Sequence, residues 1–206
     1  MHDHGKYETI GETIDDAAGE AFDKVAKLLD LGYPGGPVVS KYAQQFRNKL
    51  KNLRTEELKN NLIFPRPLLN KPNFNFSFSG LKTAVLTEVL KRPAKTADRK
   101  QEICFAFEEA VVDVLMTKTL RAAKKYKPRA VILAGGVAAN SRLRKRLTEE
   151  LKNLRTKEQI GINFLPAPKN LCGDNAAMIG IAAYYHILFG NKGDWRKAKV
   201  DANLML

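Results

Sequence analysis

VILAGGVAANSRLR, Val131 to Arg144, runs from apolar residues through a glycine pair into a segment with helical spacing. It predicts a strand at Ala130–Ala134 followed by a helix from Ser141 to about Leu154, with Leu143, Leu147, Leu151 and Leu154 on one side. A second strand is expected at Ile160–Leu165, then a loop, PAPKNLCGD, and a small-residue-rich apolar helix over Asn175–Phe189. Alternation of helix, strand, helix, strand and helix favours an α/β fold with a sheet covered by helices. The glycine pair stands at the carboxyl end of the first strand, where open α/β sheets bind ligands. Gly135 and Gly136 let backbone approach a flat or phosphorylated ligand, and Asn140 either caps the helix or bonds a ligand hydroxyl. A plain strand-to-helix turn fits the same letters. The run is neither a dinucleotide fingerprint, lacking the third glycine, nor a Walker loop, lacking Gly-Lys-Ser/Thr.

Working towards the amino terminus, a long helix reaches Lys125 with Asp98 as its expected cap and Ile103, Phe107, Ala110, Val111, Val114 and Leu115 inward. Leu81–Leu90 reads as helix. NFNFSFSG alternates Phe74, Phe76 and Phe78 with polar residues, the period of a strand with one buried face. Earlier still, Tyr7–Ile10 reads as a short strand, and Thr13 with Asp16 has capping-box spacing. Ala18, Ala21, Phe22, Val25, Leu28 and Leu29 then form a core-facing stripe through about Leu31. GYPGGP ends that helix, and another is expected from Val38 to about Leu53.

The first helix begins with an unusual density of acid. Asp16, Glu20 and Asp23 fall on one side, and each like-charge neighbour costs roughly 0.2–0.5 kcal/mol. Pairing of Glu20 with Lys24, and the helix dipole near Asp15 and Asp16, offset part of this, so a solvated face is acceptable. The alternative is a carboxylate in a cleft accepting bonds from the vicinal hydroxyls of a ribose. Asp174, after the loop containing Pro166 and Pro168, is either a helix cap or one ligand of a metal ion.

Lys and Arg total 35 against 22 Asp and Glu, a net charge of +13, which points to an anionic partner, above all nucleic acid. No apolar run approaches the ~20 residues that cross a bilayer, and no secretory signal is read, so a soluble cytoplasmic protein without membrane contact is expected. Cys104 and Cys172 have no metal-ligand spacing.

Five stretches occur together and in order: YETIGETIDDAAGEAFDKVAKLLDLGYPGGP, FNFSFSGLKTAV, FEEAVVDVL, LAGGVAANSRLR and LCGDNAAMIG. The chain thereby resembles the TsaD family, tRNA threonylcarbamoyltransferases once described as sialoglycoprotein endopeptidases. The resemblance implies an actin-like ATPase (RNase H-like) fold, of which residues 1–189 would be the carboxyl-terminal lobe and 190–206 a polar tail. It implies transfer of threonylcarbamoyl from threonylcarbamoyl-adenylate to the tRNA adenosine beside the anticodon, with an ATP or adenylate ligand, tRNA and the partner proteins of the threonylcarbamoylation complex. By position, Asp23 resembles the ribose ligand with Glu20 as helper, and Gly36 a second glycine contact. Gly135, Gly136 and Asn140 resemble the adenosine-binding motif, and Asp174 one ligand of a divalent ion, iron or zinc. The family's Ser-Gly-Gly-His-Thr loop and His-x-x-x-His pair do not occur in these residues. The chain therefore reads as the second part of such an enzyme, expected to be inactive alone and not to retain the ion. A non-catalytic nucleotide- or tRNA-binding module needing a partner lobe is the alternative. A metalloprotease finds no His-Glu-x-x-His here.

Overall fold

Among the described residues, apolar side chains at three- and four-residue steps place six α-helices, joined by two four-residue strands. The computed structural model describes residues 6–51, 62–157, 161–190, 193, 194, 196 and 199. Helices α1 (Ala18–Leu28), α2 (Gly35–Leu50), α3 (Ser79–Lys91) and α4 (Ala97–Tyr126) precede strand β1 (Ala130–Leu133). Helix α5 (Ser141–Lys157) leads to β2 (Asn163–Pro166), and α6 (Ala176–Leu188) follows. The architecture is α/β, mostly helical, with one small parallel sheet. In that sheet Ala130 pairs with Asn163 and Leu133 with Pro166, and α5 supplies the crossover that a parallel pair requires.

Gly11–Cys172 forms one compact unit. Its core has two parts that share α4. Ala21, Phe22, Val25, Val39, Ala43, Phe78, Leu81 and Val85 close on Ile103, Phe107, Val111 and Val114. On the other side Val112, Met116 and Ala123 meet Leu143, Leu147, Leu151, Leu154 and Ile162. A 30-residue helix buried on two sides cannot show a single apolar stripe, and its inward positions spread accordingly. Burial pushes the Cys104 thiol up to about 12, which makes it a small core residue with no readily formed thiolate. The described residues beyond Cys172, with residues 6–10, form a second unit, whose regular element is α6. Among the described residues no helix is long and apolar enough to cross a membrane.

Several local expectations are corrected. Tyr7–Ile10 forms no strand, and α1 starts at Ala18 behind Ala17, which makes no capping bond. Thr13 does not cap it: its hydroxyl donates to the Asp16 carbonyl (2.8 Å), and its backbone forms an isolated bridge with Phe76. Among the described residues that bridge is also the only strand-like pairing of NFNFSFSG. Phe74 and Phe76 are half-buried, Phe78 is fully buried at the start of α3, and no strand forms. Thr96, not Asp98, caps α4 by accepting from the Arg99 amide. Asn175, not Asp174, caps α6 by accepting from the Met178 amide at 3.0 Å. Helix α1 ends three residues before Leu31, and α2 begins at Gly35 rather than Val38. The expected ends at Leu53 and Ile160 lie outside the described residues.

Asp15 explains part of the acidic cluster. Its Oδ1 accepts the amides of Phe78 (2.7 Å) and Ser79 (3.2 Å), and its Oδ2 accepts the Ser79 hydroxyl (2.8 Å). It thus satisfies amides at the start of α3 that no residue of α3 can. Burial pushes this carboxyl up, but the bonds from Ser77, Phe78 and Ser79 outweigh it and hold it at about 2, against an ordinary 3.8. A depressed folded-state pKa means stabilisation present above pH 3.8 and lost as pH falls towards 2. Unfolding midpoints measured from pH 6 to pH 2 should therefore fall more steeply below pH 4 in the native chain than in Asp15→Asn. The variant should also lose about 0.5–1 kcal/mol at neutral pH, because the side chain is exposed and water replaces part of its bonding.

Candidate functional site

One cavity of about 600 Å³ lies in the Gly11–Cys172 unit, within the range of small-molecule sites. Three segments frame it. Helix α1 contributes Gly19, Phe22 and Asp23, α2 contributes Gly36, Pro37, Ser40, Lys41, Gln44 and Arg47, and the turn after β1 contributes Gly136, Val137, Ala139 and Asn140. Ser141 and Arg142 of α5 and Glu108 of α4 complete the wall.

Glycine is required where α1 meets α2. A Cβ on Gly35 would stand 2.6 Å from both the Asp23 Cα and the Phe22 carbonyl oxygen. This contact lets the Gly35 amide donate to Asp23 Oδ1 at 2.7 Å, which orients the carboxylate and leaves Oδ2 outside that bond. At the other wall Gly135 has φ +88°, a conformation that side chains disfavour, and it turns the chain from β1 into a single 3-10 turn, Gly136–Ala139. A Cβ on Gly36 or Gly136 would meet nothing within 4 Å, so these two lining positions keep the cavity open.

Asn140 ends that turn, nearly buried, and its side chain does three things. Oδ1 accepts the Leu143 amide at 2.8 Å and so caps α5. Nδ2 donates to the Ser40 hydroxyl at 2.9 Å and to Glu108 Oε1 at 2.8 Å. Glu108, with its side chain 2% exposed, also accepts from Arg47 Nη2 at 2.7 Å. The same guanidinium nitrogen reaches Glu109 Oε1 at 2.9 Å, and Arg142 Nε meets that oxygen at 2.8 Å. Burial pushes the Glu109 carboxyl up, while the bonds from Arg142 and Arg47 outweigh it and hold it below the usual carboxylate range. The cavity floor is thus a charge-compensated network joining α2, α4 and α5.

Asp23, Gly36, Gly136 and Asn140 therefore lie around one cavity. Gly135 shapes the turn without lining it, and Glu20 is exposed and paired with Lys24 at 2.6 Å, away from the lining. Asp174 is exposed in the other unit, and among the described residues no group of three His, Cys, Asp or Glu side chains gathers as metal ligands would. Sequence reasoning missed Ser40, Gln44, Arg47, Glu108 and Arg142. A signal for Glu108 existed: it falls four residues after Cys104 and four before Val112, on positions of α4 that are otherwise apolar. Nothing comparable marked Ser40 or Gln44, which sit on a polar helix face.

The comparisons agree with one another. The family model for TsaD, tRNA N6-adenosine threonylcarbamoyltransferase, matches residues 1–181. A protein of that name from Francisella tularensis subsp. mediasiatica is 43% identical over 202 residues, covering 98% of this chain and 55% of the relative. One from Thermosipho melanesiensis is 48% identical over 181 residues, 87% of this chain and 49% of the relative. One from Syntrophotalea carbinolica is 45% identical over 192 residues, 92% and 51% respectively. The chain spans about half the length of the curated relatives it matches. With its motifs in order, and with a family match over 181 of 206 residues, the chain belongs to the tRNA N6-adenosine threonylcarbamoyltransferase family, TsaD.

Proposed function

We infer that this chain carries the adenosine-binding half of a tRNA adenosine threonylcarbamoyltransferase built on the actin-like ATPase fold. The observation that carries the reading is the convergence of Asp23, Gly36, Gly136 and Asn140 on one cavity, although the first two are at least 100 residues from the last two. Asp23 accepts the ribose hydroxyls through Oδ2 while Oδ1 stays with the Gly35 amide. Gly36 and Gly136 admit the nucleoside against backbone, Gly135 sets the turn, and Asn140 meets the base. Glu20 keeps its place through Lys24 and supports α1 rather than the ligand.

In the full-length enzyme the ligand is threonylcarbamoyl-adenylate. The exocyclic amine of the tRNA adenosine forms a bond to the carbamoyl carbon, the bond from that carbon to the phosphate oxygen breaks, the amine gives up a proton, and AMP leaves. This chain's contribution is binding and orientation, which make the reacting atoms neighbours before the chemical step. A divalent ion, iron or zinc, belongs to the same reading with Asp174 as one ligand. The described residues do not assemble the remaining ligands around it, so no step is assigned to an ion held by this chain. The excess of positive charge suits tRNA as the second substrate, with the partner proteins of the modification complex in the cytoplasm.

Calorimetric titration of the 206-residue chain with AMP tests the reading. Binding at millimolar Kd or tighter is expected. Asp23→Asn keeps an oxygen for the Gly35 amide but replaces the free carboxylate oxygen, and should weaken AMP about 10–100-fold with little change in melting temperature. No heat of binding at millimolar AMP in a folded native chain overturns it.

A further inference from the structure

The hydrogen bonds of Asn140 leave it one capacity. Both Nδ2 hydrogens are committed, to Ser40 Oγ and Glu108 Oε1, and Oδ1 has one lone pair on the Leu143 amide. What remains is the second lone pair of Oδ1, an acceptor. The orientation of an amide is set by its partners, here Glu108 on the nitrogen and Leu143 on the oxygen. A carboxylate only accepts, so it holds the nitrogen of Asn140 towards itself and excludes the flipped amide. Leu143, whose amide only donates, demands the oxygen at the opposite side. Arg47 in turn keeps Glu108 compensated at a depth where a lone carboxylate is costly.

We propose that Glu108 is a positioning residue: it fixes the Asn140 amide as an acceptor at the cavity and thereby makes the site select a 6-amino purine over a 6-oxo purine. The inference rests on the adenosine reading above and assigns the origin of its base preference. An exocyclic amine donates to Oδ1, whereas a 6-oxo group sets oxygen against oxygen. Glu108 touches no ligand in this scheme; its effect passes through Asn140.

AMP and IMP differ only at that edge of the base, and their affinities for the native chain and three variants test the proposal. The native chain should prefer AMP about 10-fold, the effect of about one hydrogen bond. In Glu108→Gln the single side-chain oxygen goes to Arg47 and the new amide nitrogen faces Asn140, which turns Asn140 over at the expense of the Leu143 bond; the preference should fall to within about 2-fold, chiefly by weaker AMP binding. Asn140→Ser retains a capping oxygen without the amide and should abolish the preference to the same extent. Adding Glu108→Gln to Asn140→Ser should then change the AMP-to-IMP ratio no further, which a general loosening of the cavity would not produce. An unchanged ratio in Glu108→Gln overturns the proposal, as does a further change in the double variant. Equal affinity for AMP and IMP in the native chain overturns it while leaving the nucleotide reading in place. Absence of binding by either nucleotide defeats the nucleotide reading itself, and the base preference with it.

Discussion

Phe107→Ala should lower the unfolding free energy of the Gly11–Cys172 unit by about 3–5 kcal/mol, the cost of removing a large buried ring that its neighbours cannot replace. Phe107 is wholly buried and meets Phe22 edge to face, with ring centroids 5.0 Å apart and planes at 81°. The surroundings have little freedom to collapse. Helix α1 is held against α2 by the Gly35 contact and α4 is packed on two sides, so most of the vacated volume stays empty. Phe22 is also a wall of the cavity, and loss of its neighbour lets it tilt towards the core. Nucleotide affinity should fall together with stability, although Phe107 itself does not line the site. Urea unfolding followed by circular dichroism gives the measurement. A loss below about 1.5 kcal/mol at an unchanged m-value would mean that α1 and α4 close up freely and that the core is less rigid than described.

The helices were legible because their signal is local. The stripes of α1 and α5 and the inward residues of α4 follow from spacing within a few turns, and the structure buries the residues that spacing selects, Ala18, Leu28 and Leu115 only in part. What failed depended on partners distant in sequence. Alternating Phe74, Phe76 and Phe78 promise a strand only if another strand lies alongside, and the chain offers one bridge from Thr13. Asp15 reads as dipole compensation for α1, yet its partners are the amides and hydroxyls of residues 77–79, more than 60 positions away. Asp98 and Asp174 look like caps as well as Thr96 and Asn175 do, since propensity does not choose between adjacent oxygens. Nothing local marks Arg47 as a site residue; it enters the floor of the cavity because two acids on α4 pair with it. The glycine turn and the acidic helix were each visible as candidates, but only tertiary structure could place them around the same space.

That buried charge network carries the second large effect. Arg47→Met keeps the apolar stem near Phe105 and removes the charge, its donors and the contact of the guanidinium with the Phe105 ring, 5.4 Å from its centroid. Glu108 would retain the Asn140 amide but lose its cation at near-complete burial, while Glu109 would keep Arg142. Breaking a buried pair from one side costs about 3–5 kcal/mol, and the surviving partners place the expected loss near 3 kcal/mol. The loss should be a stranded charge rather than lost packing, and the two are separable. Glu108→Gln added to Arg47→Met removes the stranded carboxylate and should return about 1–2 kcal/mol, so the double variant is more stable than Arg47→Met alone. Had the arginine acted chiefly by packing, the second substitution would deepen the loss. Raising salt to about 1 M should leave the difference between native chain and Arg47→Met largely unchanged, because ions screen this depth poorly. Stability curves for the native chain, both single variants and the double variant decide the matter, and a double variant less stable than Arg47→Met refutes the view that compensation by Arg47 is what allows Glu108 to stand beneath Asn140.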